Sequence, residues 1–310
     1  MPETKIAMAS QRFLLPYVGI ILQCLDENQN PIDGAFASGF IRREEDGLYL
    51  YTCWHVVTGF NPSDIRIPIN RPSRRYLKVT MQGAVIQQWA QSVGGIQSFV
   101  LPLYEDTSDG PIPIWLQENQ HVPHGILNDN RIFVPDWHDV VKIRLPSNLV
   151  VSTIQVIEAD RTVPELGNDF GVGTKCLIVG FPYGFSTGGP SQPTPVVLTR
   201  FVAGSTGKMS LIMESIGAKG MSGGPVFVET VDEILFFGIY TGSIFPGGAR
   251  GVSDDSTALG VVVDLRLVIR GHFKFTNRPS YIDPLPTFTK AEGPIQSGLG
   301  GGEEPVFLAP

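Results

Sequence analysis

Residues 218–228, "AKGMSGGPVFV", decide how this chain reads. A single hydroxyl, Ser222, stands inside Gly220-Met221-Ser222-Gly223-Gly224-Pro225, directly before the apolar run "PVFVE" at 225–229. Two readings compete. The stretch is either a tight turn of small residues, or a nucleophile with backbone amides gathered around it. A serine hydroxyl attacks poorly until a base takes its proton, so the choice depends on what the rest of the chain supplies.

Outward from this stretch, the hydrophobic pattern is that of strands. After Ser222 come 225–229, 234–241 "ILFFGIYT" and 258–263 "ALGVVV"; before it come 151–157, 174–181, 195–203 and 208–214. An earlier series comprises 17–25, the pair "GAFASGFIRR" and "GLYLYTCW" around "EEDG" at 44–47, then 76–86, 98–103, 112–116 and 139–145. Asp46-Gly47 between two apolar runs is a strong hairpin signal. Two runs of about six strands predict an all-β fold of two packed six-stranded barrels, which bury alternating faces and remove sheet edges. The expected bounds are about 15–146 for the first barrel and about 150–264 for the second. A short closing helix is expected over about 264–272, capped by Asp264. Together these make one unit over 1–275, followed by a Gly/Pro-rich flexible tail over 276–310.

Composition narrows the partners. The 310 residues carry a net charge of −7, with 35 glycines and 25 prolines that suit a turn-rich β protein. The densest basic patch, Arg71-Pro-Ser-Arg74-Arg75, reads as a solvated loop, so nucleic acid is not expected as a partner. Cys24, Cys53 and Cys176 are too few, and odd in number, for a disulfide framework; free thiols in a cytoplasmic protein are the simpler reading. The apolar run at 13–25 contains Pro16, is too short to cross a bilayer and lacks a signal-cleavage pattern, so no membrane association is expected. A secreted or periplasmic protein is the alternative, with that run as its signal peptide.

Histidine is the usual base for serine, because it titrates near neutrality. Of His55, His121, His124, His138 and His272, His55 in "YLYTCWHVVTG" is the one at the end of an expected strand. The His121/His124 pair has metal-like spacing but no accompanying ligands, so no metal site is predicted. A base of this kind needs a carboxylate to hold its tautomer. Asp139 opens the strand "DVVKIRL" and Asp136 is the alternative; Asp106 and Asp109 read as solvated loop charges. For a developing oxyanion, the N–H groups of Gly220 and of Ser222 itself are the candidate donors. Cys53 reads as a buried small thiol rather than a second nucleophile.

With "TCWHVV", "HDVVKIRL" and "GMSGGPV" in that order, the chain resembles the trypsin-like (chymotrypsin-fold) serine peptidases, closest to their bacterial high-temperature-requirement-like branch. "ASGFI" at 37–41, "VGFPYGF" at 179–185 and "VLTRFVAGS" at 197–205 add to the resemblance, which covers roughly 15–270 and includes no appended peptide-binding domain. It implies a serine endopeptidase acting on proteins or peptides, without a cofactor. His55 would be base, Asp139 orienter and Ser222 nucleophile, with Gly220 and Ser222 N–H groups as oxyanion hole. It also implies a pocket lined by Ile216, Gly217, Lys219, Tyr240, Thr241, Gly242 and Ser243, suited to a small or medium apolar residue.

The chain departs from the family's digestive members in three ways. Met221 replaces the aspartate that receives a freed N-terminus, so another device, within the loop or from a partner or the tail, must order the oxyanion loop. No disulfide pair flanks His55, and the spacing from His55 to Asp139 is long. A partner-switched or purely peptide-binding protein on the same fold is the alternative function.

Overall fold

A computed structural model describes residues 15–61, 64–68, 74–82, 96–108, 110–118, 139–149, 151, 155–158, 171–187, 193–205, 210–215, 217–231, 233–244, 259–265 and 275–276. The fold is all-β and chymotrypsin-like. In the first half, β1 (Ile20–Leu25), β2 (Pro31–Glu44) and β3 (Gly47–Thr52) form a meander. The β2–β3 hairpin pairs Glu44 with Gly47, at the Asp46-Gly47 turn the sequence marks. A one-turn helix, α1 (Trp54–Thr58), follows β3. Next come β4 (Phe60–Asn61) with β5 (Asp64–Pro68), β6 (Tyr76–Gln82), β7 (Ile96–Pro102), the hairpin of β8 (Tyr104–Thr107) and β9 (Gly110–Pro113), β10 (Leu116–Glu118), β11 (Val141–Arg144) and β12 (Val156–Ile157).

The second half holds β13 (Lys175–Gly180), β14 (Val196–Ser205), β15 (Ser210–Met213), β16 (Pro225–Glu229), β17 (Ile234–Ile244) and β18 (Leu259–Asp264), which close into a six-stranded barrel. In β14 half-buried and exposed positions alternate, with Val202 buried, as expected for a strand with one face turned inward. Met213, Val226, Phe237 and Val262 meet in the barrel interior, together with Met221 from the serine loop.

The first half differs in detail from the six strands expected. Its sheet has nine strands, from β19 (Phe275–Thr276) through β10-β11-β3-β2-β1-β6-β7 in order, with β12 beside β2, and its path is not closed among the described residues. β12 comes from the segment expected to open the second series, yet it pairs in parallel with Ile41 and Arg42 of the first. β19 returns to pair with β10. At the start of the chain, residues 15–18 form a helical turn and the strand begins at Ile20. Most of the expected closing helix at 264–272, and the tail beyond 276, lie outside the described residues; Asp264 itself ends β18.

The two halves share one apolar core. Phe40 of β2 meets Phe236 of β17 at 5.1 Å between ring centroids, and Val179, Phe227, Ile239 and Val263 join the first-half cluster. Burying each such aromatic is worth about 1.5–3 kcal/mol. This packing fixes the end of β3, which carries α1, against the loop that precedes β16. No helix of the described residues is long and apolar enough to cross a membrane.

Candidate active site

The antiparallel register of β3 and β11 sets the first part of the site. Thr52 lies opposite Val141. Continuing that register past both strand ends brings Asp139 beside the first residues of α1. Asp139 Oδ1 accepts the backbone N–H of His55 at 2.9 Å, and Oδ2 lies 2.5 Å from His55 Nδ1. Both side chains are buried. An ionised carboxylate only accepts hydrogen bonds, so it places the imidazole proton on Nδ1 and leaves Nε2 as the basic nitrogen. Asp136, the alternative, lies outside the described residues, as do His121, His124, His138 and Asp109. Asp106 is exposed and pairs with Arg75.

A helix of one turn leaves its carbonyls without intrahelical partners. His55 O is instead met by Gly59 N–H and by Arg74 Nη1, each at 2.9 Å. Arg74 Nη1 also donates to Val56 O, which the Cys24 thiol reaches at 3.3 Å. Trp54 Nε1 donates to Gln117 Oε1 at 3.1 Å and ties α1 to β10. Arg74 therefore corrects the sequence reading of this basic patch as a solvated loop. It is buried, and its Nη1 donates to two adjacent carbonyls, while the neighbouring Arg75 lies over the Tyr104 ring. Residues 71–73 are outside the described set.

The serine loop is laid against this edge. Gly223 has φ +87°, and a Cβ there would stand 2.1 Å from Ser38 O and 2.4 Å from Thr52 Oγ1. Only glycine permits both that conformation and that approach. Tyr240 O accepts the Gly223 N–H at 2.8 Å and the Cys53 thiol at 3.4 Å, so the residue after Ser222 and the residue preceding α1 share one acceptor. Ser222 is itself buried, and its carbonyl accepts the Ser38 N–H at 2.8 Å.

Around Ser222, the backbone donors divide into two groups. Met221, Gly223 and Gly224 N–H donate to Ala218 O, Tyr240 O and Met221 O, at 3.0, 2.8 and 2.9 Å. The N–H groups of Gly220 and Ser222 have no acceptor among the described residues. Gly220 adopts φ +94°, and a Cβ there would lie 2.6 Å from Phe181 O. Met221 points into the second-barrel core, its sulfur packed over Gly180. The sequence reading did not single out Ser38. It stands there inside the expected strand "GAFASGFIRR" and the "ASGFI" resemblance, although its hydroxyl donates to Gly220 O at 2.7 Å and accepts Phe181 N–H at 2.9 Å.

Among the expected pocket residues, Ile216 lies outside the described set, and nothing is described of the Ser243 side chain. Gly217, Tyr240, Thr241 and Gly242 are buried and Lys219 is half-buried. The Tyr240 ring lies between Gly217 and Gly260, and its hydroxyl accepts the Gly217 N–H at 2.7 Å. A large side chain thus occupies the space between those two glycines.

Cys53 Sγ, a His55 ring nitrogen and the Asp139 carboxylate lie within 4.8 Å of one another, close enough for three ligands of one metal ion. Burial, reinforced by the Asp139 charge, pushes the Cys53 thiol well above its ordinary range, and Nδ1 is engaged by Asp139. Metal ligation needs a thiolate and a free ring nitrogen, so the chemistry of the group favours a protonated thiol beside a His–Asp pair. All three cysteines are free and buried.

No family model matches the chain, and no curated protein does either. Among solved structures the chain is similar to AlgW, an HtrA-type protease solved with a tripeptide, at TM-score 0.45 and 14% identity, over 84% of this chain and 61% of that one. It is likewise similar to the serine endoprotease from Yersinia pestis, at TM-score 0.44 and 14% identity, over 84% of this chain and 64% of that one. The chain therefore spans less than two thirds of the length of either.

Proposed function

We propose that this chain is a serine endopeptidase that cleaves protein or peptide substrates through an acyl-enzyme on Ser222. The observation that carries the reading is the conjunction of the His55–Asp139 pair at 2.5 Å with two N–H groups, on Gly220 and Ser222 in the loop that holds the serine, that have no acceptor among the described residues.

The chemistry follows from those groups. Ser222 Oγ attacks the scissile carbonyl carbon while His55 Nε2 takes its proton, and Asp139 stabilises the imidazolium through Nδ1–H. The carbonyl oxygen becomes an anion between the Gly220 and Ser222 N–H groups; one such donor contributes about 10²–10³-fold in rate. Collapse breaks the C–N bond, and His55 returns the proton to the leaving amine. Water, deprotonated by His55, then cleaves the ester and regenerates Ser222. No cofactor enters this scheme.

Tyr240 supports a small apolar residue before the scissile bond, since its ring lies where a deeper pocket would run. The serine loop is anchored from within the described chain, which supports activity without an ordering partner. In this reading the peptidase unit covers 1–275, with His55 and Asp139 on the first barrel and Ser222 on the second.

The test is hydrolysis of fluorescein-labelled casein by the full chain, with cleavage sites mapped by mass spectrometry. Cleavage after small apolar residues, lost in Ser222→Ala, supports the proposal. An inert parent contradicts it, and a strict preference for Lys or Arg contradicts the pocket assignment.

A further inference from the structure

We infer that Ser38 is a positioning residue: its hydroxyl locks the peptide plane between the two oxyanion donors and takes the part that a freed N-terminus cannot play beside Met221. This rests on the peptidase reading above and adds the means by which the loop is held in its working geometry.

The peptide planes of the loop can be followed one by one. In a planar trans peptide the C=O and N–H point in opposite directions, so fixing one fixes the other. The Gly220 N–H shares its plane with Lys219 O, which accepts Tyr183 N–H at 2.5 Å. The Ser222 N–H shares its plane with Met221 O, which accepts Gly224 N–H at 2.9 Å. Between them lies the plane of Gly220 O and Met221 N–H, held by Ser38 Oγ at 2.7 Å on its carbonyl side and by Ala218 O at 3.0 Å on its amide side. The next plane, that of Ser222 O, is held by Ser38 N–H at 2.8 Å. One residue of β2 therefore grips the loop on both sides of Met221.

The hydroxyl works in both directions. It has one proton, given to Gly220 O, and it accepts from Phe181 N–H at 2.9 Å. The turn at 182–184 that follows Phe181 supplies the Tyr183 N–H to Lys219 O. Ser38 thus joins the loop to the turn that orients the first donor. Ser38 is completely buried, and its own carbonyl accepts Thr52 Oγ1 at 2.9 Å, at the end of the strand leading to His55. Without the hydroxyl, two buried backbone groups lose this partner. Gly220 sits at φ +94°, where glycine alone has little resistance to rotating the plane.

The experiment uses the full chain and a fluorophosphonate probe. In this reaction Ser222 Oγ forms a bond to phosphorus, fluoride leaves, and His55 takes the serine proton. The parent, Ser38→Ala, Ser38→Thr and Gly180→Ala are compared for labelling rate from pH 6 to 9. Casein kinetics and circular dichroism are recorded on the same samples. Ser38→Ala should fold and label about 10- to 100-fold more slowly, less than the outright loss of an oxyanion donor. The midpoint of its pH profile should match the parent, because the base is untouched, and kcat should fall with KM unchanged. Ser38→Thr, which keeps the hydroxyl, should recover most of the rate. A Cβ at Gly180 would stand 2.7 Å from Ser38 Oγ and 3.0 Å from the Met221 sulfur, so Gly180→Ala should slow labelling by pressing on the hydroxyl and on the loop residue it brackets; it keeps the inference testable if Ser38→Ala fails to fold. Labelling of a folded Ser38→Ala, or of Gly180→Ala, at the parent rate overturns the inference. So does a shifted pH midpoint, which would trace the effect to His55. A parent that is never labelled fails differently: it overturns the peptidase reading itself.

Discussion

Asp139→Asn isolates the electrostatic and tautomeric work of one atom. The carboxylate serves two donors at once, the His55 backbone N–H at 2.9 Å and Nδ1 at 2.5 Å. Asparagine has one carbonyl oxygen and one NH₂ group. If its oxygen keeps the backbone N–H, its NH₂ faces Nδ1, and a donor there demands an acceptor. The imidazole proton then moves to Nε2, the nitrogen that has to receive the Ser222 proton. If the amide flips, the NH₂ group faces the backbone N–H, and two buried donors meet. The first arrangement removes the base in its active tautomer; the flip keeps that tautomer only by setting two buried donors against each other, which disfavours it. The size of the loss follows from serine hydrolases with this constellation, about 10⁴-fold in kcat. At about 1.4 kcal/mol per tenfold this is about 5.5 kcal/mol of transition-state stabilisation. The assay is the fluorophosphonate labelling rate at pH 7.5, with circular dichroism to confirm the fold. A folded Asp139→Asn within about tenfold of the parent would refute the tautomer argument and return Asp136 to consideration.

Two further predictions concern the supports of the site. Arg74→Met removes the donor shared by His55 O and Val56 O; it should destabilise the protein by about 1.5–3 kcal/mol in urea denaturation and slow labelling through a displaced α1. Stability should also decline above pH 9. Burial holds the Tyr104 hydroxyl and the Cys176 thiol up at about 12, from ordinary values of 10.0 and 9.0. The unfolded chain releases these protons first, so between those values the folded state binds more protons and loses stability as pH rises. Urea midpoints measured from pH 8 to 11.5 should be flat at first and then fall; a rise would contradict the assignment.

Much of this architecture was legible in local sequence because alternation and turn chemistry are local properties. Asp46-Gly47 marks the β2–β3 hairpin, and "PVFVE" reads directly as β16. His55, Asp139 and Ser222 stand out because each sits at a strand edge in an unusual local context. What escaped was non-local. Ser38 and Arg74 act on backbone carbonyls 182 and 19 residues away in sequence, and a hydrogen bond to a carbonyl leaves no mark on the residue that owns it. In sequence Arg74 looks like one more surface cation because it stands in a run with Arg71 and Arg75. The parallel pairing of β12 with β2, and the return of β19 to β10, depend on long-range placement that periodicity does not encode. Met221 was informative in both views: apolar in sequence, it excludes a terminal-amine acceptor, and in the fold it anchors the loop in the second barrel.

The central claim, that Ser222 is a nucleophile activated by His55, is tested most directly by intact-mass and peptide mass spectrometry after fluorophosphonate treatment of the full chain. The account predicts a single covalent adduct on the peptide containing Ser222, absent in Ser222→Ala and strongly reduced in His55→Ala. A parent that acquires no adduct, or an adduct that persists in Ser222→Ala, would contradict it.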